Sequence, residues 1–338
     1  VAADEPVEYR PRGEVPRTGR PATASGPLPT VGLDIGGTKT LAAVLGPGGD
    51  VLAQARLHTK RGAQAVVEVA ARAVREVAAE AGVVVADLGG VGVGVPGLVS
   101  HDDGTVRYAV NVGIAAPFPL ARRLSAELGV GVVLDNDLNI AALGAAHLAP
   151  DAPGRPLDLA FLALGTGLAA GLVLDGAVRR GSGAAGEIGH IPIDPAGPVC
   201  PCGQRGCLEL YASGTAVERL WPATSGRPAP VELFEAAAQG NPAAVAARDA
   251  YADAVAAGVR MLALSVDVRR VVLGGGVSQL GQPLLDAVQA ALARQAGQSP
   301  FLASLHLADR VILAPHTVPV AAVGAAVLAR NAALTQAS

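Results

Sequence analysis

The 338-residue chain is poor in charge, poor in cysteine and almost without lysine. Only 16% of its residues are charged against 51% apolar, which excludes intrinsic disorder for the chain as a whole, because there is ample apolar surface to bury. Positive charge is not in excess either. With 26 Lys and Arg against 29 Asp and Glu the net charge is -3, and the chain lacks the basic surface that displaces counterions from nucleic-acid phosphates. No apolar run reaches about 18 residues without Arg, Asp, His or repeated Gly and Pro, so a bilayer-spanning helix is excluded. The opening VAADEPVEYRPRGEVPR has no apolar core of the kind a secretory signal needs. A cytoplasmic protein with no membrane and no nucleic-acid partner is expected. Lys39 and Lys60 are the two lysines, a scarcity that coding bias toward Arg, Ala, Gly and Val explains. Lys39 draws interest because it lies in a glycine-rich turn.

Residues 1 to 29 carry Pro6, Pro11, Pro16, Pro21, Pro27 and Pro29 among polar side chains, and read as a disordered tail. From Val31 the segment VGLDIGGTKTLAAVLGPGGDVLAQARL reads as two or three strands joined by Gly-rich turns. Val66, Val69, Ala70, Ala73, Val74 and Val77 follow helical spacing, with Glu68, Arg72, Arg75 and Glu76 on the opposite side. A buried strand at 90–97, a helix at 117–129, a strand at 130–134 and a helix at 138–147 follow. At Leu157 the opening pattern returns in LDLAFLALGTGLAAGLVLDGAV, so the chain reads as two related halves. Helices at 213–221, 230–239 and 242–264 come next. The strand RRVVLGGGV, a helix near 281–295, the strand RVILA and a helix from about 319 to 333 complete the chain. Strands alternating with helices predict an α/β fold, with a cleft between two facing halves and a glycine turn from each lining it.

The turn LDIGGTKT puts Asp34 at a strand end, followed by Gly36, Gly37 and Thr38, where backbone N–H groups can approach an anion. Its counterpart is LGTG, with Gly165, Thr166 and Gly167, and a third glycine cluster stands at Gly274, Gly275 and Gly276. One such turn alone is most simply a hairpin. Repetition in both halves points instead to phosphate. GGTKT lacks the spacing of a P-loop, and a strand follows it where a dinucleotide fingerprint would open a helix. The three segments resemble, in type and order, the two phosphate segments and the adenosine segment of the actin, hexokinase and Hsp70 superfamily, which implies ATP between two domains.

All three cysteines fall within CPCGQRGC, as Cys200, Cys202 and Cys207, with His190 ten residues upstream. Three thiolates and an imidazole complete a tetrahedral zinc set, leaving no open position for substrate, so a structural ion is expected. A disulfide reading is weaker, since one cysteine would be left over in a chain expected to stay reduced. In VLDNDLNIAALGAAH, Asp135, Asn136 and Asp137 fall between a predicted strand and helix, where helix capping is the simpler role for any one of them. Asn136 beside Asp137 nevertheless suits holding vicinal hydroxyls and accepting a proton. GAAGEIGH adds Glu187 and His190, and the cysteine loop ends in Glu209.

DIGGTKT, PGLV at 96–99, NDLNIAALG, GEIGH and CPCGQRGCLELYASG together resemble the ROK family of sugar kinases, repressors and related proteins, over everything except the tail. The resemblance implies an α/β fold of two actin-like, ribonuclease H-like domains around an ATP and sugar cleft, with a zinc-binding loop. The first domain would span 30–140, with helix 319–334 packing back on it, and the second 141–318. By motif position Asp137 would be the catalytic base. Asn136, Glu187, His190 and Glu209 would hold the other sugar hydroxyls, His190 also ligating zinc. Asp34 would sit near Mg2+, with Gly36, Gly37, Thr38, Lys39, Gly165, Thr166 and Gly167 around the phosphates and Gly274 to Gly276 near the adenosine.

Three departures from the family pattern stand out: Ala169 where Gly is common, Ala145 where Glu is frequent, and Leu138 in place of a small residue. The methyl of Ala169, beside phosphate, is expected to weaken ATP binding. The implied activity is glucokinase-like, ATP-dependent phosphorylation of a hexose, glucose first, by a homodimer or homotetramer. Another hexose or an N-acetylhexosamine is the alternative. A sugar-responsive ROK regulator is disfavoured because the roughly 30 residues before Val31, rich in Pro and balanced in charge, do not accommodate a winged helix-turn-helix domain.

Overall fold

The computed structural model describes residues 27–148 and 157–337. All but the last three residues of the expected tail therefore lie outside the described residues. The first half runs β1 (Thr30–Ile35), β2 (Lys39–Leu45), β3 (Val51–His58), α1 (Ala63–Glu80), β4 (Val91–Val95), the hairpin β5 (Leu98–Ser100) and β6 (Thr105–Arg107), α2 (Leu120–Leu128), β7 (Val132–Asn136) and α3 (Asp137–Leu148). The second half begins with β8 (Leu159–Leu164), β9 (Leu168–Leu174) and β10 (Ala177–Val178). It continues with the helices α4 (Glu209–Ala212), α5 (Gly214–Leu220), α6 (Ala229–Ala238) and α7 (Pro242–Val266). Then come β11 (Arg270–Gly274), α8 (Gln282–Ala296), α9 (Pro300–Ser304), α10 (Leu307–Arg310), β12 (Val311–Leu313) and α11 (Val320–Ala337).

The two main sheets have one topology. The first is ordered β3-β2-β1-β4-β7 and the second β10-β9-β8-β11-β12. In each, an antiparallel meander of three strands at the start is joined by two parallel strands, with β1 beside β4 and β8 beside β11. The parallel pairs need crossovers, which α1, α2 and the helices between β10 and β12 supply.

On the outer face of the first sheet, the apolar stripe of α1 (Val66, Val69, Ala70, Ala73, Val74 and Val77) is buried in one cluster with Val31, Leu33, Val91 and Val93. The second sheet is covered by α6, α7 and α8, whose Leu233, Tyr251, Val255, Val259 and Val288 join Leu162, Leu164, Val271 and Leu273. Two helices fill the space between the sheets. α11 packs on β1, β4 and β2, and α3 packs on β9 and β8, while α3 and α11 pack on each other.

Glycine makes that sandwich thin. A Cβ on Gly32 of β1 would lie 1.9 Å from the Ala322 carbonyl oxygen, and one on Gly92 of β4 would lie 1.8 Å from that of Ala325. The α11 backbone therefore rests directly on the first sheet. The boundary expected at 140/141 falls inside α3, which starts at the end of the first sheet and packs on the second. Among the described residues no helix is long and apolar enough to cross a membrane.

Candidate active site

Functional side chains gather where strands of both sheets end. β1 delivers Asp34, after which Gly36, Gly37 and Thr38 turn into β2, closed by the Gly36 N–H donating to the Lys39 carbonyl at 2.9 Å. β8 and β9 are joined by Gly165, Thr166 and Gly167, and this turn is pinned from outside. The Gly214 N–H donates to the Gly165 carbonyl at 2.7 Å and the Thr215 hydroxyl to that of Thr166 at 2.9 Å. β11 ends in Gly274, Gly275 and Gly276, where Gly275 has φ +85° and a Cβ would meet the Leu164 backbone at 2.7 Å. Only glycine lets the end of β11 lie against that of β8.

A cleft of about 780 Å³ collects Asp34, Lys39, Gly274, Gly275 and Gly276, together with Gln54, Arg56, Gln279 and His316. A smaller cavity of about 260 Å³ collects Asp137, Glu187, His190 and Glu209 with Leu138, Gly165, Gly167 and Ala169. Thus two sets of residues from distant parts of the sequence converge, one on each space. Gly36, Gly37, Thr38, Thr166 and Asn136 line neither. Asn136 faces local backbone, its Oδ1 accepting the Leu138 N–H at 2.9 Å and its Nδ2 donating to the Gly97 carbonyl at 3.4 Å. Ala169, expected beside phosphate, lines the smaller cavity, as does Leu138.

β7 runs through Asn136 because it pairs with β4 as far as Val95, and α3 begins at Asp137 with no intervening loop. Burial pushes the Asp137 carboxyl above its ordinary pKa against the hydrogen bond from the Leu138 N–H, and the charge of Glu187 adds to the rise. Burial likewise pushes Asp34 up to about 7, with the charge of Asp137 adding and Lys39 opposing. One carboxylate thus lines each cavity, Asp34 the larger and Asp137 the smaller, and the charge of Asp137 is felt at Asp34.

His190, Cys200, Cys202 and Cys207 converge, with their ligand atoms all within 4.8 Å of one another. The Cys202 and Cys207 sulfurs are 3.6 Å apart and the Cys200 sulfur is 3.9 Å from His190 Nδ1. Tetrahedral zinc with Zn–S near 2.3 Å places neighbouring sulfurs about 3.8 Å apart, so the donor set fits such an ion. The backbone N–H of Gln204 holds the Cys202 thiol down to about 6. Glu209 bridges this cluster and the cavity. Its Oε1 accepts from Cys200 at 3.3 Å and lies 3.7 Å from His190 Nδ1, while its Oε2 lies where a Cβ on Gly167 would approach to 3.0 Å.

Sequence reasoning missed two groups. Arg56 and His316 in the larger cleft carry no motif. Asp135 was singled out only as part of a turn, yet its buried carboxylate binds Arg180 from the other half of the chain, together with Asn139 and His101. Nothing in the linear pattern pairs residues 45 positions apart.

Twin sheets of one topology, glycine turns at their strand ends, a small acidic cavity and a larger cleft define an α/β protein with two topologically equivalent sheets. The sequence model of the ROK family matches residues 30–332. A glucokinase of Halalkalibacterium halodurans is 33% identical over 77% of this chain and 83% of its own length. An N-acetylmannosamine kinase of Vibrio vulnificus is 33% identical over 79% of this chain and 89% of its own. Among solved structures, a ROK hexokinase from Thermus thermophilus superposes with a TM-score of 0.75 at 34% identity, covering 91% of this chain and 100% of that one. A ROK family glucokinase from Streptomyces griseus, in complex with glucose and AMPPNP, gives 0.70 at 32% identity over 90% and 99%. The chain belongs to the ROK family.

Proposed function

We propose that the protein transfers the γ-phosphoryl group of ATP to the 6-hydroxyl of a hexose, glucose first. The observation that carries this is the meeting of Asp137, Glu187, His190 and Glu209 in one sugar-sized cavity with Gly165 and Gly167, with Asp137 near enough for its charge to act on Asp34 of the larger cleft. Phosphoryl transfer needs alignment and charge stabilisation more than covalent help. Asp137, with its raised proton affinity, orients the attacking hydroxyl and takes its proton as the bond to phosphorus forms. Glu187, His190 and Glu209 accept or donate hydrogen bonds to the remaining hydroxyls, and Asn136 holds the start of α3 beside them.

ATP occupies the larger cleft, with its adenosine end near Gly274–Gly276 and its phosphates toward Lys39 and the turns at Gly36–Thr38 and Gly165–Gly167. Asp34 would hold a Mg2+ ion: burial, with the charge of Asp137 adding, raises its carboxyl, and a divalent cation would offset both. Mg2+ when bound neutralises the phosphate oxygens. His190, Cys200, Cys202 and Cys207 would hold a zinc ion, which would fix the loop that presents His190 and Glu209 to the acceptor. The two halves act as actin-like domains that close on the substrates and exclude water.

A kinase for another hexose or an N-acetylhexosamine is the second reading, supported by the likeness to an N-acetylmannosamine kinase. A coupled ADP-release assay with MgATP and glucose, mannose, fructose, N-acetylglucosamine or N-acetylmannosamine separates them. Highest kcat/KM with glucose is expected. Preference for an N-acetyl sugar would replace the acceptor, and no turnover with any of the five would overturn the reading.

A further inference from the structure

Asp135 is only 1% exposed and lines neither cavity, yet it is the most heavily bonded carboxylate near the acceptor site. Its Oδ1 accepts the Asn136 N–H at 2.8 Å and Asn139 Nδ2 at 2.7 Å, and lies 3.3 Å from His101 Nε2. Its Oδ2 accepts both Nε, at 3.0 Å, and Nη2 of Arg180. β7, which carries Asp135, is the edge strand of the first sheet. Arg180 stands two residues beyond β10, the edge strand of the second. The pair therefore spans the two halves at the place where α3 leaves one sheet for the other.

We infer that Arg180 is a positioning residue: by clamping Asp135 it fixes the base Asp137 opposite the hydroxyl-holding Glu187 and His190. The inference rests on the kinase reading above. Its physical basis is the shortness of the connection. Asp137 follows Asp135 by two residues, and the Asp135 carboxylate holds both the Asn136 N–H between them and Asn139 one turn into α3. On the other side, Arg180 precedes Glu187 by seven residues in the segment that leads into the acceptor cavity. A carboxylate this deeply buried demands a cation, and the planar guanidinium fork supplies one with a fixed direction, which lysine does not. Removing the clamp leaves every residue of the cavity in place but frees its two halves to shift. A displacement of about 1 Å in such a site costs on the order of 10²-fold in rate.

The test uses the full chain with MgATP and the preferred sugar, comparing wild type, Arg180→Met, Arg180→Lys, Asp135→Asn and the double variant, with Asp137→Asn alongside. For Arg180→Met we expect kcat to fall about 10- to 100-fold and the sugar KM to rise, with the ATP KM within about twofold of wild type. Arg180→Lys should recover part of the loss. In the double variant, where both the charge and its partner are gone, the loss should be smaller than the product of the single losses. A merely structural role would lower the active fraction while leaving both KM values unchanged and give no recovery with lysine; that pattern overturns the inference. Should Arg180→Met fail to fold, Arg180→Lys and the double variant carry the same comparison. Asp137→Asn separates the two levels. If it keeps wild-type turnover, the kinase reading fails; if it is inactive while the Arg180 variants match wild type in kcat and both KM values, the positioning role fails.

Discussion

A methyl group at Gly144 probes how tightly the two inner helices meet. A Cβ there would lie 1.9 Å from the Val320 carbonyl oxygen and 2.8 Å from the Gly324 nitrogen, whereas carbon and oxygen rarely approach closer than about 3.3 Å. The backbones of α3 and α11 would have to part by roughly 1.4 Å to restore that distance. Neither helix can slide, because α11 is seated on Gly32 and Gly92 of the first sheet and α3 on Gly171 of the second, where a Cβ would lie 2.1 Å from the Leu138 carbonyl oxygen. Alanine regains about 1 kcal/mol of helix propensity over glycine. Overpacking of side chains costs about 1–3 kcal/mol, and backbone against backbone belongs at or above the upper end. Gly144→Ala should therefore be destabilised by about 2 kcal/mol or more, which for a chain of this size lowers the melting temperature by roughly 3 °C or more. Thermal and urea unfolding followed by circular dichroism measure it, with Gly131→Ala as control, since a Cβ at Gly131 meets nothing within 4 Å. Because α3 begins with Asp137, the proposed base, kcat should fall in the same variant. A Gly144→Ala protein melting at or above wild type would refute the close crossing.

The Asp135 carboxyl is lowered despite its burial, because hydrogen bonds from His101, Arg180 and Asn139 and the charge of Arg180 outweigh desolvation. A depressed folded-state pKa gives stability that is present above the unfolded value of about 3.9 and is lost as pH falls through the folded one. Urea midpoints from pH 5 to 3 should thus drop more steeply for wild type than for Asp135→Asn, and equal slopes would count against the clamp. Cys207→Ser should abolish a stoichiometry of one zinc per chain, measured by atomic absorption, and raise the sugar KM about 10-fold or more through His190 and Glu209. Unchanged metal content and KM would remove zinc from the account.

Much of the architecture was legible because it is written in local patterns. The helical spacing of Val66 to Val77 gave α1, and the repeat of a glycine turn between short strands at Gly36 and Gly165 announced two halves of one topology. The hairpin β5–β6 escaped because three-residue strands carry too little alternation to read. β7 extends two residues further than its apolar run because pairing with β4, a tertiary interaction, carries the strand through Asp135 and Asn136. The acidic and cysteine residues declared themselves by clustering in sequence, as GEIGH and CPCGQRGC. Arg180 did not, for its partner lies on another sheet and its own neighbourhood is a plain surface turn. The crossing of Gly144 and Gly324 is hidden for the same reason: 180 residues separate them, and only the packed helices bring them together.

The central claim is that Asp137 takes the proton of a hexose hydroxyl, and the most direct measurement compares turnover and binding in Asp137→Asn. Asparagine keeps the size and one acceptor atom but cannot accept the proton. Steady-state ADP release should show kcat lowered by about 10²- to 10⁴-fold, while calorimetry gives a sugar Kd within a few-fold of wild type. A variant that binds sugar and keeps near-normal kcat would contradict the assignment of the base.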